Sequence, residues 1–168
     1  ALFIFLNRTC FNGLFRVNSK GLFNVPFGRY ENPTICDEEN LSFANVALQV
    51  ADIRFCDFEE CVNLADSKSF IYFDPPYRPI SKTASFTSYI KNGFGDDEQV
   101  RLKGVFDKLD RKGANVMLSN SDPKNIDRKD NFFDNHYRKY HIQRLSAMRM
   151  INCDATRRGV IKEILITN

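Results

Sequence analysis

The feature that most constrains the fold is a run of four apolar residues that leads directly into two consecutive prolines. The run Phe70-Ile71-Tyr72-Phe73 is aromatic or β-branched throughout, which is typical of a strand buried on both faces of a sheet. The tetrapeptide Asp74-Pro75-Pro76-Tyr77 follows it, and the prolines stiffen the loop because each fixes φ and removes a backbone donor. In open α/β sheets, ligands bind beyond the carboxyl ends of the strands. The sequence therefore predicts a carboxylate, a fixed carbonyl and an aromatic ring at a ligand-binding edge.

Strand and helix patterns alternate along much of the chain. Four further strands are predicted, the last two as antiparallel neighbours at a sheet edge: Ile53–Cys56, Asn115–Ser119, Tyr137–Gln143 and Val160–Thr167. Helices are predicted over residues 1–15, from Asp37 to about Val50, over Phe58–Ala65 and over Asp96–Lys112. Residues 16–30 carry two turn signals and predict a small hairpin or loop. This alternation is typical of a mostly parallel, doubly wound α/β sheet.

Charge is unevenly distributed along the 168 residues. Residues 1–30 carry four basic side chains and no acid, residues 31–66 carry nine acids and only Arg54, and residues 136–168 carry seven basic side chains against two acids. Basic ends around an acidic middle suit a chain that meets a polyanion with selected surfaces. An undirected scatter of surface charge explains the same pattern equally well, so the motifs have to decide.

The cysteines and the first residues exclude several classes of protein. The five cysteines are odd in number and form no CxxC pair, and only two histidines are present. This argues against a disulfide framework, a zinc site and histidine-based catalysis, and favours reduced thiols in a cytoplasm. Residues 1–6 are apolar but have neither a basic lead nor a cleavage site, so they do not form a signal peptide. We expect the chain to begin partway through its protein.

The groups of the Asp74–Tyr77 loop suit the methylation of an exocyclic amino group on a nucleobase. The amino nitrogen of adenine is a poor nucleophile because its lone pair is delocalised into the ring. If the Asp74 carboxylate and the Pro75 carbonyl each accept one N6 hydrogen, the nitrogen pyramidalises toward an electrophilic methyl group. The Tyr77 ring would stack on a base flipped out of the duplex. A rigid turn after a strand is the alternative, but a match to four specified residues in this context favours the functional interpretation.

Three segments of the chain resemble the Dam-like DNA adenine-N6 methyltransferases. They are Asn7–Arg16 continued by Phe23–Tyr30; Asp74–Tyr77 followed by Ser81, Thr83, Phe86, Thr87 and Tyr89; and Arg157–Gly159 with Glu163–Asn168. The tetrapeptide is similar to motif IV of the amino-methyltransferases that use S-adenosylmethionine. The resemblance implies a Rossmann-like class I methyltransferase sheet of the α/β class, here incomplete, with a mostly helical and looped DNA-recognition region before it. Residues 1–45 would be part of that region, and residues 46–168 the C-terminal part of the catalytic domain.

In the resembled family, residues 7–30 recognise the sequence GATC in double-stranded DNA. Basic, amide and aromatic side chains on turns suit the reading of base edges and phosphates. The resemblance implies that Arg16 reads a guanine with its bidentate fork, and that Phe11 wedges beside the extruded adenine, where Dam usually has tyrosine. It also implies base contacts from Asn12, Leu14, Pro26 and Ser81, and backbone contacts from Asn18 and Arg29. By residue type alone, the alternatives are helix core for Phe11 and Leu14 and ordinary solvated charge for the two arginines.

The same resemblance implies S-adenosylmethionine as the methyl donor. Asp57 and Phe58 resemble motif III and would border the adenine of the cofactor, while backbone atoms of Asp74 would line its methionine end. Dam-type enzymes also carry upstream a tryptophan- and lysine-containing amino terminus and a Phe-x-Gly-x-Gly loop with a ribose-binding acid; neither occurs here, and the chain has no tryptophan. We therefore expect the chain alone to be inactive and to need the missing N-terminal half of the same enzyme.

Other functions stay open at this point. A glutamine-modifying protein methyltransferase shares the proline-proline-tyrosine core but begins it with Asn, and an RNA adenine methyltransferase shares the Asp form but not residues 7–30. A catalytically inactive DNA-binding remnant is the third alternative. Solitary, phage-borne and restriction-modification roles all fit the sequence, the last with a cognate restriction endonuclease as partner.

Overall fold

The computed structural model describes residues 1–78, 94–148 and 160–168, and the chain divides into two units, Ala1–Phe55 and Cys56–Asn168. The first unit consists of two helices and the looped segment between them. Helix α1 is Leu2–Thr9, and helix α2 is Glu38–Gln49. Helix α2 is capped by Asp37, whose carboxylate accepts a hydrogen bond from the Asn40 N–H, and the sequence prediction of this helix is confirmed.

The first helix is shorter than predicted. Cys10 is extended and forms an antiparallel bridge with Phe27, and a 3₁₀ turn follows in which Asn12 and Gly13 have φ of 53° and 60°. Left-handed backbone cannot continue a right-handed helix, so the prediction of a helix to residue 15 is wrong. The hairpin or loop predicted over residues 16–30 is confirmed as a loop closed by a bridge between Val17 and Phe23.

The second unit contains one mixed sheet with the strand order β1-β2-β4-β3. Strand β1 (Phe70–Phe73) runs parallel to β2 (Asn115–Ser121). Strand β4 (Val160–Thr167) runs antiparallel both to β2 and to the edge strand β3 (His141–Met148). The α/β class and an incomplete Rossmann-like methyltransferase sheet are confirmed. Only one of the three pairings in the described sheet is parallel, so the expectation of a mostly parallel sheet is not met by this part of the chain.

Helix α4 (Asp96–Arg111) forms the core of the second unit by packing on this sheet. Its acidic first turn suits the helix dipole, and Gly113, at φ 77°, follows its end. Four side chains of α4 are at most 1% exposed and join one cluster with residues of β2 and β4: Leu102, Val105, Phe106 and Leu109. Each such side chain contributes roughly 1.5–3 kcal/mol through burial.

The described part of the second unit also contains four shorter helical segments. A 3₁₀ turn at Phe58–Glu60 leads into α3 (Cys61–Leu64), which confirms the predicted short helix, and a further 3₁₀ turn spans Pro123–Asn125. Helix α5 is Phe132–His136. None of the helices in the described ranges is long and apolar enough to cross a membrane.

Two of the strand predictions are wrong. Ile53 and Phe55 are strongly exposed, and within the described residues the segment 53–56 pairs with no strand, because no neighbour is there to satisfy its backbone. The strand predicted to start at Tyr137 starts at His141 instead. Phe133 and Tyr137 are both 1% exposed and lie four residues apart, a spacing that buries both rings on one face of a helical turn.

The predicted burial of β1 on both faces is also wrong for the described structure. Phe73 is 8% exposed and joins the core beneath α4, with Ile71 partly buried beside it. Phe70 and Tyr72 alternate with them and are 64% and 52% exposed. In the described residues β1 lies at the edge of the sheet, and its second face is open to solvent.

Two tyrosines beside α4 allow a matched test of this core. The Tyr137 hydroxyl is buried without a hydrogen-bond partner among the described residues. The Tyr140 hydroxyl shares its one hydrogen between Asp107 Oδ1 at 2.6 Å and Asp110 Oδ2 at 3.1 Å. We expect Tyr137→Phe to raise the free energy of unfolding by about 1 kcal/mol and Tyr140→Phe to lower it by about 1 kcal/mol, as urea unfolding of the full-length protein would measure. Equal losses in both variants would show that the Tyr137 hydroxyl does have a partner.

Candidate active site

The Asp74–Tyr77 loop leaves the carboxyl end of β1, beside the carboxyl end of the parallel strand β2. Asp74 and Pro76 are exposed, whereas Pro75 and Tyr77 are partly buried. Residues 119–122, at the end of β2, are buried polar side chains that lie next to the loop. The predicted placement of a carboxylate and an aromatic ring at a sheet edge thus matches the described geometry.

The Asp74 carboxylate is oriented by a short chain of hydroxyl groups. The Ser119 hydroxyl donates a hydrogen bond to Asp74 Oδ1 at 3.2 Å and accepts one from the Tyr72 hydroxyl at 2.9 Å. No described residue donates to Asp74 Oδ2. One oxygen of the carboxylate is therefore anchored, while the other can accept a hydrogen from a bound group.

Tyr77 lies close to the same serine and carboxylate. Burial raises the pKa of the Tyr77 phenol, a hydrogen bond with Ser119 counters this, and the negative charge of Asp74 raises it further. Tyr77 is consequently a neutral, partly buried ring, which suits stacking on an aromatic group better than proton transfer.

Two buried amides hold the backbone of the loop from below. Gln99 Nε2 on α4 donates to the Pro76 carbonyl at 3.1 Å, and Asn120 Oδ1 on β2 accepts from the Arg78 N–H at 2.9 Å. The sequence patterns predicted neither residue. The available signals were a glutamine on the apolar face of a predicted helix and the polar run Ser119–Asp122 at the end of a buried strand.

Arg78, which the sequence patterns did not predict either, follows Tyr77 and anchors the C-terminal end of the loop. Its guanidinium donates to Asp96 at 2.7 and 3.1 Å and to Asp130 at 2.6 Å, and it lies 4.5 Å from the ring centroid of Phe132. The hydrogen bonds to Asp96 lead the causes that raise the pKa of Arg78, so the side chain stays charged. The Ser121 hydroxyl also donates to the Arg78 carbonyl at 2.6 Å. Side chain and main chain of this residue are both fixed.

Asp57 and Phe58, the candidate cofactor-binding pair, are held by Arg101 of α4. Arg101 donates to the two Asp57 carboxylate oxygens at 2.8 and 2.9 Å, and its guanidinium lies 4.0 Å from the Phe58 ring centroid. A cleft of about 380 Å³ opens beside them, lined mainly by charged and polar side chains such as Glu59 and Lys108. Both carboxylate oxygens of Asp57 are thus engaged and one face of the Phe58 ring is covered, while the Asp57 side chain stays 51% exposed. The cofactor-binding role of the pair stays a prediction.

In the first unit, Arg16 is anchored by Asn24. Arg16 Nε donates to the Asn24 side-chain oxygen and Arg16 Nη2 donates to the Asn24 carbonyl, both at 2.9 Å. These bonds use the side edge of the guanidinium, so the terminal Nη1/Nη2 fork is left facing away from Asn24. Asn24 lies in a segment that the sequence resemblance covers, but it received no role there.

The other recognition candidates occupy the same looped segment. Phe11 is 49% exposed and does not belong to a core, and Asn12 donates its N–H to the Tyr30 hydroxyl at 3.0 Å. The Asn18 side chain caps its own turn by accepting from the Lys20 and Leu22 N–H groups. Leu14 is partly buried and donates its N–H to the Phe11 carbonyl at 3.3 Å. Pro26 is exposed and its carbonyl accepts from the Phe11 N–H at 2.8 Å, and Arg29 is exposed with φ 56°. Ser81 lies outside the described residues.

The Asp57–Arg101 pair generates a prediction about ionisation. Hydrogen bonds from Arg101 lower the pKa of Asp57 to about 2 from an ordinary 3.8. Because the folded value is depressed, the ion pair is complete above the ordinary carboxyl range and is lost only as the pH falls through about 2. At pH about 4 we expect the carboxyl carbon of Asp57 to show the ionised NMR shift in the wild type and an intermediate shift in Arg101→Ala. Arg111→Ala, at the other end of α4, is the control and should match the wild type; an unchanged shift in Arg101→Ala would contradict the assignment.

The sequence of this chain matches a family of known proteins. The family model for "D12 class N6 adenine-specific DNA methyltransferase" matches residues 1–151. Type II methyltransferase M.MjaIII of Methanocaldococcus jannaschii is 52% identical over 169 residues, which cover 100% of this chain and 56% of the relative. Type II methyltransferase M1.LlaDCHI of Lactococcus lactis subsp. cremoris is 42% identical over 170 residues, covering 100% and 57%. A DNA adenine methylase of Vibrio cholerae is 39% identical over 164 residues, covering 97% and 56%.

These matches include both the looped segment that contains Arg16 and the loop that contains Asp74. The chain spans a little more than half the length of the curated relatives. The family suggested by the sequence motifs is confirmed: the chain belongs to the D12 class N6 adenine-specific DNA methyltransferases.

Proposed function

We propose that the full-length protein carrying this chain transfers a methyl group from S-adenosylmethionine to N6 of adenine in double-stranded DNA, with GATC as the target. The observation that carries the proposal is the Asp74 carboxylate, exposed at the carboxyl end of β1, with one oxygen anchored by Ser119 and the other bonded to none of the described residues. Family membership supplies the reaction class. Because the chain covers about 56% of its relatives, we also propose that it is inactive by itself.

The chemistry falls to three groups of the loop. Asp74 Oδ2 and the Pro75 carbonyl accept the two hydrogens of the amino group, while Ser119 keeps the carboxylate from rotating away. The Pro76 carbonyl is already engaged by Gln99, which leaves that of Pro75 as the acceptor beside Asp74. Tyr77 stacks on the flipped adenine as a neutral ring. S-adenosylmethionine, when bound, supplies an electrophilic methyl group.

The first unit reads the target and holds the DNA. Arg16 presents its terminal fork to guanine O6 and N7 because Asn24 occupies the other edge of the guanidinium. Exposed Phe11 serves as the wedge beside the flipped base, and the side chains of Asn12, Leu14 and Pro26 give further base contacts. Ser81, which does not belong to the first unit, gives one more base contact. Asn18 and Arg29 contact the phosphate backbone, which positions the protein without reading the sequence.

A second candidate function, a catalytically inactive DNA-binding remnant, rests on the engaged state of Asp57 and Phe58. Incorporation of labelled methyl from S-adenosylmethionine into GATC duplexes by the full-length protein separates the two. Transfer to adenine supports the enzyme, whereas sequence-selective binding without transfer supports the remnant. Names such as "Type II methyltransferase" among the relatives make a restriction-modification system, with a cognate endonuclease, the context we propose.

Asp74→Ala tests the chemical role of the carboxylate. We expect the single-turnover methylation rate to fall at least ~100-fold with the Kd for DNA within about threefold of wild type, since the carboxylate acts on a nitrogen that changes in the transition state. Asp97→Ala, which removes an exposed carboxylate from the first turn of α4, is the control and should keep the wild-type rate. A rate within about threefold of wild type for Asp74→Ala would rule out this role.

Arg16 and Arg29, two exposed arginines of the same unit, give a matched test of recognition. Arg16→Lys keeps the charge but loses the fork, so we expect discrimination at one guanine of the target to relax by about 1–3 kcal/mol. Arg29→Ala should weaken binding to all sequences alike and reduce the salt dependence. Methylation of GATC and its single-base variants at fixed salt measures both effects. A uniform loss for Arg16→Lys would make Arg16 a phosphate contact.

A further inference from the structure

Gln99 and Asn120 are the two buried amide side chains closest to the candidate loop. Gln99 is 1% exposed and Asn120 is fully buried. Gln99 occupies the same stripe of α4 as Leu102 and Phe106, where an apolar side chain could be buried without desolvating any polar group. A buried amide that lacks partners destabilises the fold by roughly 1–3 kcal/mol, so a glutamine here needs hydrogen bonds that compensate for its burial.

Those hydrogen bonds end on the backbone of the loop. Asn120 Nδ2 donates to Gln99 Oε1 at 3.2 Å, which joins the two amides and fixes the orientation of both. Gln99 Nε2 is then directed to the Pro76 carbonyl at 3.1 Å, and Asn120 Oδ1 to the Arg78 N–H at 2.9 Å. Asn120 Oδ1 also accepts from the Ser121 N–H at 2.9 Å.

The two contacts grip the peptide units on either side of Tyr77. The Pro76 carbonyl belongs to the peptide before Tyr77, and the Arg78 N–H belongs to the peptide after it. Fixing both planes fixes φ and ψ of Tyr77, and thereby the direction in which its ring leaves the backbone. The Pro75 carbonyl lies one peptide further back, across a proline whose φ is already restricted.

We propose that Gln99 and Asn120 are positioning residues of the methyl-transfer reaction. Because α4 packs rigidly on β2, the two joined amides are fixed in position, and their hydrogen bonds fix the backbone of residues 75–78. The Tyr77 ring and the Pro75 carbonyl are thereby held at a set distance from the Asp74 carboxylate. Neither side chain touches the substrate. The inference rests on the proposed function, because it concerns the geometry of that reaction.

Position errors in a reacting loop have large kinetic effects. A displacement of about 1 Å, caused by a change remote from the chemistry, can slow a reaction by roughly 100-fold. Substrate binding depends on the whole DNA-contacting surface and should be much less sensitive. A positioning role therefore predicts a loss in kcat with little change in KM, whereas loss of stability alone lowers the fraction of active enzyme and leaves the rate per active site unchanged.

The test uses single-turnover methylation of GATC duplexes by the full-length protein, normalised to active sites. Gln99→Met keeps the length of the side chain but removes both hydrogen bonds, and we expect its rate to fall about 10- to 100-fold with the Kd for DNA within about threefold of wild type. Ser121→Ala removes the independent bond to the Arg78 carbonyl and should also slow transfer, by a smaller factor. This second variant keeps the test available if Gln99→Met fails to fold.

Ile142→Ala is the control, because Ile142 packs against the core from β3 and lies on neither α4 nor β2. It should lower stability and leave the rate per active site unchanged. The proposal is overturned if the Gln99 and Ser121 variants turn over within about threefold of wild type, or if Ile142→Ala slows transfer as much as they do. If the wild type transfers no methyl group to adenine, the proposed function fails and this inference fails with it; an active wild type with equally active variants defeats this inference alone.

Discussion

The packing of helix α4 on the mixed sheet is the interaction on which the rest of the second unit depends. One face of the helix buries Leu102, Val105, Phe106 and Leu109 against β2 and β4, with Tyr137 sealing the same cluster. Protein interiors pack like crystals, so this face fixes the helix in both rotation and position. The position of the helix in turn fixes where its polar side chains begin.

Two polar side chains of α4 reach the candidate functional residues. Gln99 holds the loop that carries Asp74 and Tyr77, and Arg101 holds Asp57 with Phe58. The energetics of the two contacts differ. Gln99 is buried, so its hydrogen bonds cannot be replaced by water, whereas Asp57 and Arg101 meet near the surface where solvent competes with the pair. The loop is thus the rigidly held part, and the Asp57 region is the part that a ligand could rearrange at lower cost.

Local pattern predicted some of the elements and misplaced others, for physical reasons that can be named. Helices α2 and α4 were predicted correctly because helix caps and amphipathic spacing depend only on residues close to each other in the chain. The segment 53–56 has a strand-like composition but pairs with no described strand, and one face of β1 is exposed although its residues are apolar. Both predictions were wrong for the same reason: the burial of a strand depends on neighbouring elements that its own residues do not specify. The helical turn before β3 was missed because it depends on Phe133 and Tyr137 packing onto Phe106 of α4.

The sequence by itself determined the family, and it predicted the candidate loop and the candidate recognition residues. A strand ending in Asp-Pro-Pro-Tyr carries its chemistry in four consecutive residues, and the turns around Arg16 are encoded in residues near to them in the chain. Tertiary structure alone decided which groups hold these residues in place. Ser119, Gln99 and Asn120 lie 21 to 45 positions away in the chain from the residues they bond to. Folding alone brings the bonded atoms to between 2.9 and 3.2 Å of each other. Hydrogen bonds act only over such short distances, so no local pattern could have revealed these partners.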